Sequence, residues 1–354
     1  MRQKQNVPLA RHTTLRLGGP AARLLELESV DELVSVVREL DLRGEPLLVL
    51  GGGSNLVVAD EGFSGTVLKL AFDAIAIAID AGESSVVATV DGGADWDRFV
   101  ARAVECGYRG VECLSGIPGS VGATPMQNVG AYGQEVSETI ARVRVLDRTT
   151  GELAWIENAD CGFAYRSSRF RGQTRYIIVQ VAFTFAREAE SVAIRYAELA
   201  RALGIREGER AELRKVRDVV LGLRAAKGML IDPLDPESVS AGSFFVNPVV
   251  DAAKLAEIER AHGNDGGASP VPRFSMPDGT FKVPAAWLIE RAGFSKGYGH
   301  AHVGISNKHA LALVHRGGGT TRELLELARA VQGGVMARFG VELSAEPVMV
   351  ACAL

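Results

Sequence analysis

A chain of 354 residues that is 47% hydrophobic and 23% charged is long enough for two or three cores, and it is neither disordered nor fibrous in composition. A formal net charge of −4 offers no basic footprint for nucleic acid, and the sequence contains no apolar run long enough to span a bilayer. Four scattered cysteines, Cys106, Cys113, Cys161 and Cys352, form no CxxC pair. Reduced thiols in a cytoplasm are therefore expected rather than a zinc knuckle or a disulfide framework, in a soluble monomer with neither nucleic-acid nor membrane partners.

In chain order, "SVDELVSVVREL" predicts an amphipathic helix with a capping box from Ser29 to Glu32 and an apolar face of Leu33, Val36, Val37 and Leu40. "EPLLVL" is a short buried strand running into "GGGSN", and the strand "SSVVATV" leads through Gly92 and Gly93 into the helix "ADWDRFVARAVECG". The glycine-studded "LSGIPGSVGATPMQNVGAYG" has neither helical nor alternating period and reads as a long ordered loop, a feature usually tied to function. Strands follow in "ARVRVLD" and "ELAWIE", joined by the turn "RTTG", and in "YIIVQVAFTFA". A charged helical region from Arg195 to Lys227 places Leu213, Val216, Val220 and Leu223 on one face and is taken as a domain boundary. "SAGSFFVNPVV", the helix "AAWLIERAG" closed by Gly293, a helix opened by a Thr320 to Glu323 capping box and weakened by Gly333-Gly334, and a final strand "VELSAEPVMVA" complete the chain. Strands and helices mix irregularly, so the expected class is α+β.

The loop "VLGGGSNLVVAD" is not a dinucleotide fingerprint, because Leu56 stands where Gly or Ala is needed and the residues after it are extended. Neither glycine loop carries the Gly-Lys-Ser/Thr of a P-loop. Each can be read as tight turns or as a row of backbone N–H groups for a diphosphate, and the presence of two, the second also bearing Ser120, Gln127, Asn128 and Tyr132, favours a nucleotide cofactor. Tyr165-Arg166 in "CGFAYRSSRF" is either a stacked surface pair or part of an anion-binding face. His300 and His302 lack a third ligand, so no metal is expected. Glu346 suits either a site carboxylate or a structural partner of an arginine, and Ser243, read alone, is a strand residue with a satisfied hydroxyl.

Taken together and in order, "TTLRLGGPA", "VLGGGSNLVV", "SGIPGSVGATPMQNVGAYG", "CGFAYRSSRF", "SAGSFFVNPVV" and "AAWLIERAG" resemble the UDP-N-acetylenolpyruvoylglucosamine reductases, the MurB family, across nearly the whole chain. "GAYG", "GSFF" and the segment around Tyr196 resemble its type I branch. The resemblance implies a flavin region of the vanillyl-alcohol-oxidase type in two lobes, residues 1–65 with 340–354 and 66–205, plus an α+β substrate domain at 206–339. It implies bound FAD, NADPH as co-substrate and a nucleotide-sugar substrate. Family contacts to FAD fall on Gly51, Gly52, Gly53, Ser54, Asn55, Ile117, Pro118, Gly119, Ser120, Gly122, Ala123, Gly130 and Arg224. Contacts to the substrate fall on Tyr132, Tyr165, Tyr196, Lys227, Asn247, Lys282 and Lys296. Arg166, Ser243 and Glu346 match the catalytic trio. The chain departs from the family at "KGMLIDPLDPE", which is longer than usual, at Val246 in place of a common lysine, and at Pro347 in place of a common valine.

The activity so implied is reduction of an enolpyruvyl to a lactyl ether, with Arg166 stabilising charge on the substrate carboxylate, Ser243 giving a proton to the α-carbon and Glu346 orienting. An oxidase on the same fold and a non-catalytic nucleotide-sugar sensor are the competing readings. A metal hydrolase lacks the ligands.

Overall fold

The protein, described as a computed structural model over residues 1–79, 85–263 and 269–354, divides into two compact units. The first comprises Met1–Val7, Ala21–Gly53 and Ser64–Ala226, and the second Pro8–Pro20, Ser54–Phe63 and Lys227–Leu354.

In the first unit a four-stranded sheet runs in the order Arg2–Pro8, Pro20–Leu27, Phe63–Leu70, Leu47–Leu50, the last two parallel. Helix α1 (Val30–Leu42) covers it, burying Leu33, Val37 and Leu40 against Leu25, Leu27 and Leu68. Its capping box is half formed. Ser29 accepts the Glu32 N–H at 3.1 Å, but the Glu32 carboxylate turns to the N–H of Glu28 and to the ammonium of Met1, both at 2.8 Å.

A six-stranded antiparallel sheet follows, with Glu152–Glu157, Ile140–Asp147, Tyr176–Arg187, Ser85–Asp91 and Ile75–Ile79 in spatial order and Tyr108–Arg109 paired to the end of Tyr176–Arg187. Ser84, the first residue of the expected strand, lies outside the described residues. Helix α2 (Trp96–Glu105), capped by the Asp95 side chain on the N–H of Arg98, lays Trp96 and Phe99 on Phe183 and Phe185. Fully burying each such ring stabilises by about 2–3 kcal/mol, more than its cap contributes. Helices α3 (Ala197–Leu203) and α4 (Leu213–Ala226) pack through Leu199, Leu203, Val216 and Val220.

The second unit holds a sheet of Ser240–Ser243, Ala312–His315 and Val303–Ile305, a small sheet of Val249–Val250, Phe281–Lys282 and Phe274–Ser275, and a parallel pair of Leu56–Val58 with Val348–Val350. Helices α5 (Ala252–Gly263), α6 (Ala285–Arg291) and α7 (Thr321–Phe339) enclose one core with Phe244, Phe245, Leu288 and Leu324.

Several expectations change. Helix α7 runs unbroken through Gly333 and Gly334, and its capping box is complete. A Cβ on Gly334 would stand 2.2 Å from the Phe294 ring, so the glycine admits a neighbour instead of breaking the helix. The terminal strand is only Val348–Val350, and Glu346 precedes it. Compactness also draws different boundaries from those expected at 65, 205 and 340. Helix α4, expected in the 206–339 domain, falls in the first unit; the C-terminal strand, expected with residues 1–65, pairs with Leu56–Val58 of that stretch, and both fall in the second unit.

Candidate functional site

In the first unit the two glycine loops meet. A Cβ on Gly52 would lie 2.6 Å from the Cα of Gly119, and one on Gly51 would lie 2.6 Å from the Ser120 Oγ, so only bare backbone permits this approach. Gly53 closes the first loop at φ 64°. The second loop is laced to the start of α2 by Trp96 N–H to the Gly119 carbonyl at 3.1 Å, Val121 N–H to Ala94 at 2.8 Å and Gly122 N–H to Gly92 at 2.9 Å. Ile117, Pro118 and Ala123 lie along it, Ala123 exposed. The backbone of Gly119, Val121 and Gly122 is thus held by partners outside the loop.

Gly116, which opens this loop, is gripped from two helices. Its N–H donates to Asp97 Oδ1 at 2.6 Å, and its carbonyl accepts from Arg224 Nε at 3.1 Å. Burial pulls the Arg224 guanidinium down from its ordinary value, so a cation short of water stands beside the loop. Asp97 would be pushed up by burial, but the Arg217 fork and the Gly116 N–H outweigh this and hold its carboxyl below the usual range. Reading the sequence did not pick out Asp97 or Arg217; the visible signal was Arg217 two helical turns before Arg224 on α4.

The loop's far end carries Gly130 and Tyr132, and Arg166 reaches it from the separate segment "CGFAYRSSRF". The Arg166 guanidinium donates to the Gly130 carbonyl at 2.7 Å and lies 5.5 Å from the Tyr165 ring centroid. Asn128 (φ 47°), Tyr132 (φ 49°) and Arg166 (φ 50°) are all left-handed, half of the six such non-glycine residues among those described. Such strain, about 1–2 kcal/mol each, persists where surroundings over-determine it. Here the Asn128 amide donates to Glu135 at 2.7 Å and to the Ala164 carbonyl at 3.2 Å, and Ser168 Oγ donates to Met126 at 2.7 Å. Tyr132 meets Tyr196 edge to face at 5.6 Å, and burial pushes its hydroxyl up to about 12, keeping it a neutral donor.

In the second unit, Ser240 pairs with Val314 and Ser243 with Ala312, so three steps on one strand face two on the other. This β-bulge is centred on Gly242 at φ 73° and is held by Gly242 N–H to Ser240 Oγ at 3.2 Å. The strand ends at Ser243, which is half exposed, and Phe244 and Phe245 just beyond it are both buried. Ser240, passed over in the sequence, is the residue that props the bulge, and Thr14 Oγ1 donates to its carbonyl at 2.6 Å. Glu346 is joined to the same segment by its N–H to the Phe244 carbonyl at 2.9 Å, and the Asn55 amide donates to the Glu346 carbonyl at 3.4 Å. Ser54, Asn55, Ser243 and Glu346 thus belong to one unit.

The remaining expected residues scatter. Asn247 Oδ1 accepts from the Ala285 N–H at 2.8 Å and so caps α6, a structural duty not expected. Lys282 lies 5.5 Å over the Phe274 ring, Lys227 is half buried, and Lys296 is an exposed residue beyond α6.

Comparison with known proteins decides what this chain is related to. Residues 233–350 match the C-terminal domain of UDP-N-acetylenolpyruvoylglucosamine reductase, and residues 21–157 match an FAD binding domain. The chain is 53% identical over 352 residues to the UDP-N-acetylenolpyruvoylglucosamine reductase of Thermobifida fusca, covering 99% of this chain and 98% of that one. The chain belongs to the UDP-N-acetylenolpyruvoylglucosamine reductase family. The enzyme of that name from Streptomyces coelicolor is 49% identical, with 100% and 92% of the chains covered. A crystal structure of the Thermus caldophilus reductase shares the fold at TM-score 0.64 and 23% identity, with 99% and 98% covered.

Members of this reductase family are FAD-dependent, and the residues present fit FAD: Gly51 and Gly52 approach Ser120 and Gly119 so closely that neither could carry a Cβ, which leaves a row of backbone N–H groups, and Arg224 supplies a cation. Among the described residues no group of three His, Cys, Asp or Glu side chains gathers for a metal ion, and no helix is long and apolar enough to cross a membrane.

Proposed function

We propose that the chain is an NADPH-dependent reductase of UDP-N-acetylenolpyruvoylglucosamine, forming UDP-N-acetylmuramate for peptidoglycan precursor synthesis in the cytoplasm. The observation that carries this reading is the paired glycine cradle, set in a chain half identical along its whole length to relatives named for the reaction. When bound, FAD would supply hydride chemistry between NADPH and the enolpyruvyl β-carbon.

The chain's own residues handle the charge and proton that follow. Addition at the β-carbon leaves negative charge on the α-carbon and its carboxylate. Arg166, a planar guanidinium able to fork, receives that carboxylate. Its strained backbone and its bond to Gly130 fix the fork beforehand. Ser243 Oγ–H gives its proton to the α-carbon; a neutral donor adds no repulsion to the anion, and the Gly242 bulge aims it. Glu346, tied by its backbone to Phe244, orients and hydrogen-bonds. Gly51, Gly52, Gly53, Ser54, Asn55, Ile117, Pro118, Gly119, Ser120, Gly122, Ala123, Gly130 and Arg224 hold the cofactor. Tyr132, Tyr165, Tyr196, Lys227, Asn247, Lys282 and Lys296 hold the nucleotide sugar.

The test is an anaerobic spectral cycle: a yellow protein bleached by NADPH and recoloured by the enolpyruvyl nucleotide sugar. A colourless protein, or one recoloured only by air, contradicts the reading.

A further inference from the structure

Both salt-bridge partners of α2's first turn are aspartate–arginine pairs, but they differ in kind. Arg98 and Asp73, 2.6 Å apart, are more than half exposed, and such pairs contribute little. Arg217 and Asp97 are only 16% and 33% exposed, and the arginine donates to both carboxylate oxygens, at 2.6 and 2.8 Å. Oδ1 of the same carboxylate also accepts the Gly116 N–H at 2.6 Å. Because Arg217 and Arg224 lie two turns apart on α4, one helix face delivers the partner of Asp97 and the donor to the Gly116 carbonyl.

We propose that Asp97 and Arg217 are positioning residues for the cofactor: they set Gly116, and through it the Gly116–Ser120 loop, in its diphosphate-binding conformation, and Arg217 cancels a carboxylate that would otherwise repel the ligand. This rests on the FAD reading above. Asp97 joins α2 to α4 and to the Gly116 N–H in one set of bonds, so the loop's entry follows the pair. The charge of Arg217 is spent on Asp97; its contribution to FAD is made through Gly116 and not by direct attraction.

The experiment is the FAD dissociation constant of the full-length protein, read from flavin fluorescence on dilution, for Arg217→Ala, Asp97→Asn, the double variant and Arg217→Lys, with circular dichroism to confirm folding. Removing one partner of a half-buried pair leaves an uncompensated charge, so Arg217→Ala is expected to weaken FAD about tenfold or more. Asp97→Asn keeps an acceptor for Gly116 and is expected to lose less, about threefold. The double variant removes the stranded charge and is expected to bind FAD more tightly than Arg217→Ala, and Arg217→Lys to recover part of the loss. A folded Arg217→Ala within twofold of the parent, or a double variant no better than Arg217→Ala, overturns the proposal. Should Arg217→Ala not fold, Arg217→Lys and Asp97→Asn both matching the parent overturn it equally. A parent chain that binds no FAD overturns the functional reading instead.

Discussion

The backbone N–H of Glu346 donates to the carbonyl of Phe244 at 2.9 Å, fixing a carboxylate-bearing residue from the end of the chain beside the bulge that presents Ser243. The bulge depends on Gly242 at φ 73°, where an added Cβ meets nothing within 4 Å, so Gly242→Ala tests conformation and not space. The left-handed penalty is about 1–2 kcal/mol, and relaxing it re-aims Ser243. The expected outcome is a loss of kcat of about tenfold or more with FAD retained, checked by steady-state kinetics and the visible spectrum.

Gly52→Ala tests the cradle. Its Cβ would press at 2.6 Å on the Cα of Gly119, a backbone atom that cannot rotate away. Overpacking of this kind costs about 1–3 kcal/mol, and here the loops must part. FAD titration is expected to show affinity weakened by about tenfold or more; unchanged affinity would remove the cradle from the account.

Arg166→Lys keeps the charge and loses the fork. Lysine is expected to lower kcat/KM for the nucleotide sugar by roughly 10²–10³-fold, the scale of losing one oxyanion donor, while FAD content holds. Kinetics within threefold of the parent would mean that the guanidinium serves only Gly130.

His315 predicts a pH dependence. Its Nδ1 lies 3.1 Å from the Leu15 carbonyl and its Nε2 accepts the Gly319 N–H at 3.1 Å, an arrangement of the neutral ring. Burial leads the causes that lower its pKa from the ordinary value. The unfolded chain therefore binds the proton more readily, so this stability is present above about pH 6.5 and is lost as pH falls through the lower folded value. Urea unfolding of the parent is expected to weaken on acidification below about pH 6.5 more than that of His315→Gln; parallel curves would contradict it.

What was legible in the sequence was local. The Thr320 to Glu323 box, the turn at Gly151 and the core face of α4 depend on residues a few positions apart, and they are found as expected. The order of motifs singles out Ser243 as a proposal, but the Gly242 bulge beside it is a register difference between strands and leaves only a glycine in the sequence. The Asp97–Arg217 pair spans a separation of 120 residues, and neither partner looks unusual among its neighbours. Gly334 misled because its reason, the Phe294 ring, comes from another segment. Glu346 falls within the stretch "VELSAEPVMVA" that reads as one strand, whereas its N–H is taken by Phe244 before the ladder at Val348 begins.

The most direct test of the central claim separates the two half-reactions of Ser243→Ala in an anaerobic stopped-flow instrument. The account predicts that bleaching by NADPH stays near the parent rate while recolouring by the enolpyruvyl nucleotide sugar slows by roughly 10²–10⁴-fold, the contribution of a positioned proton donor. Recolouring at the parent rate would contradict it.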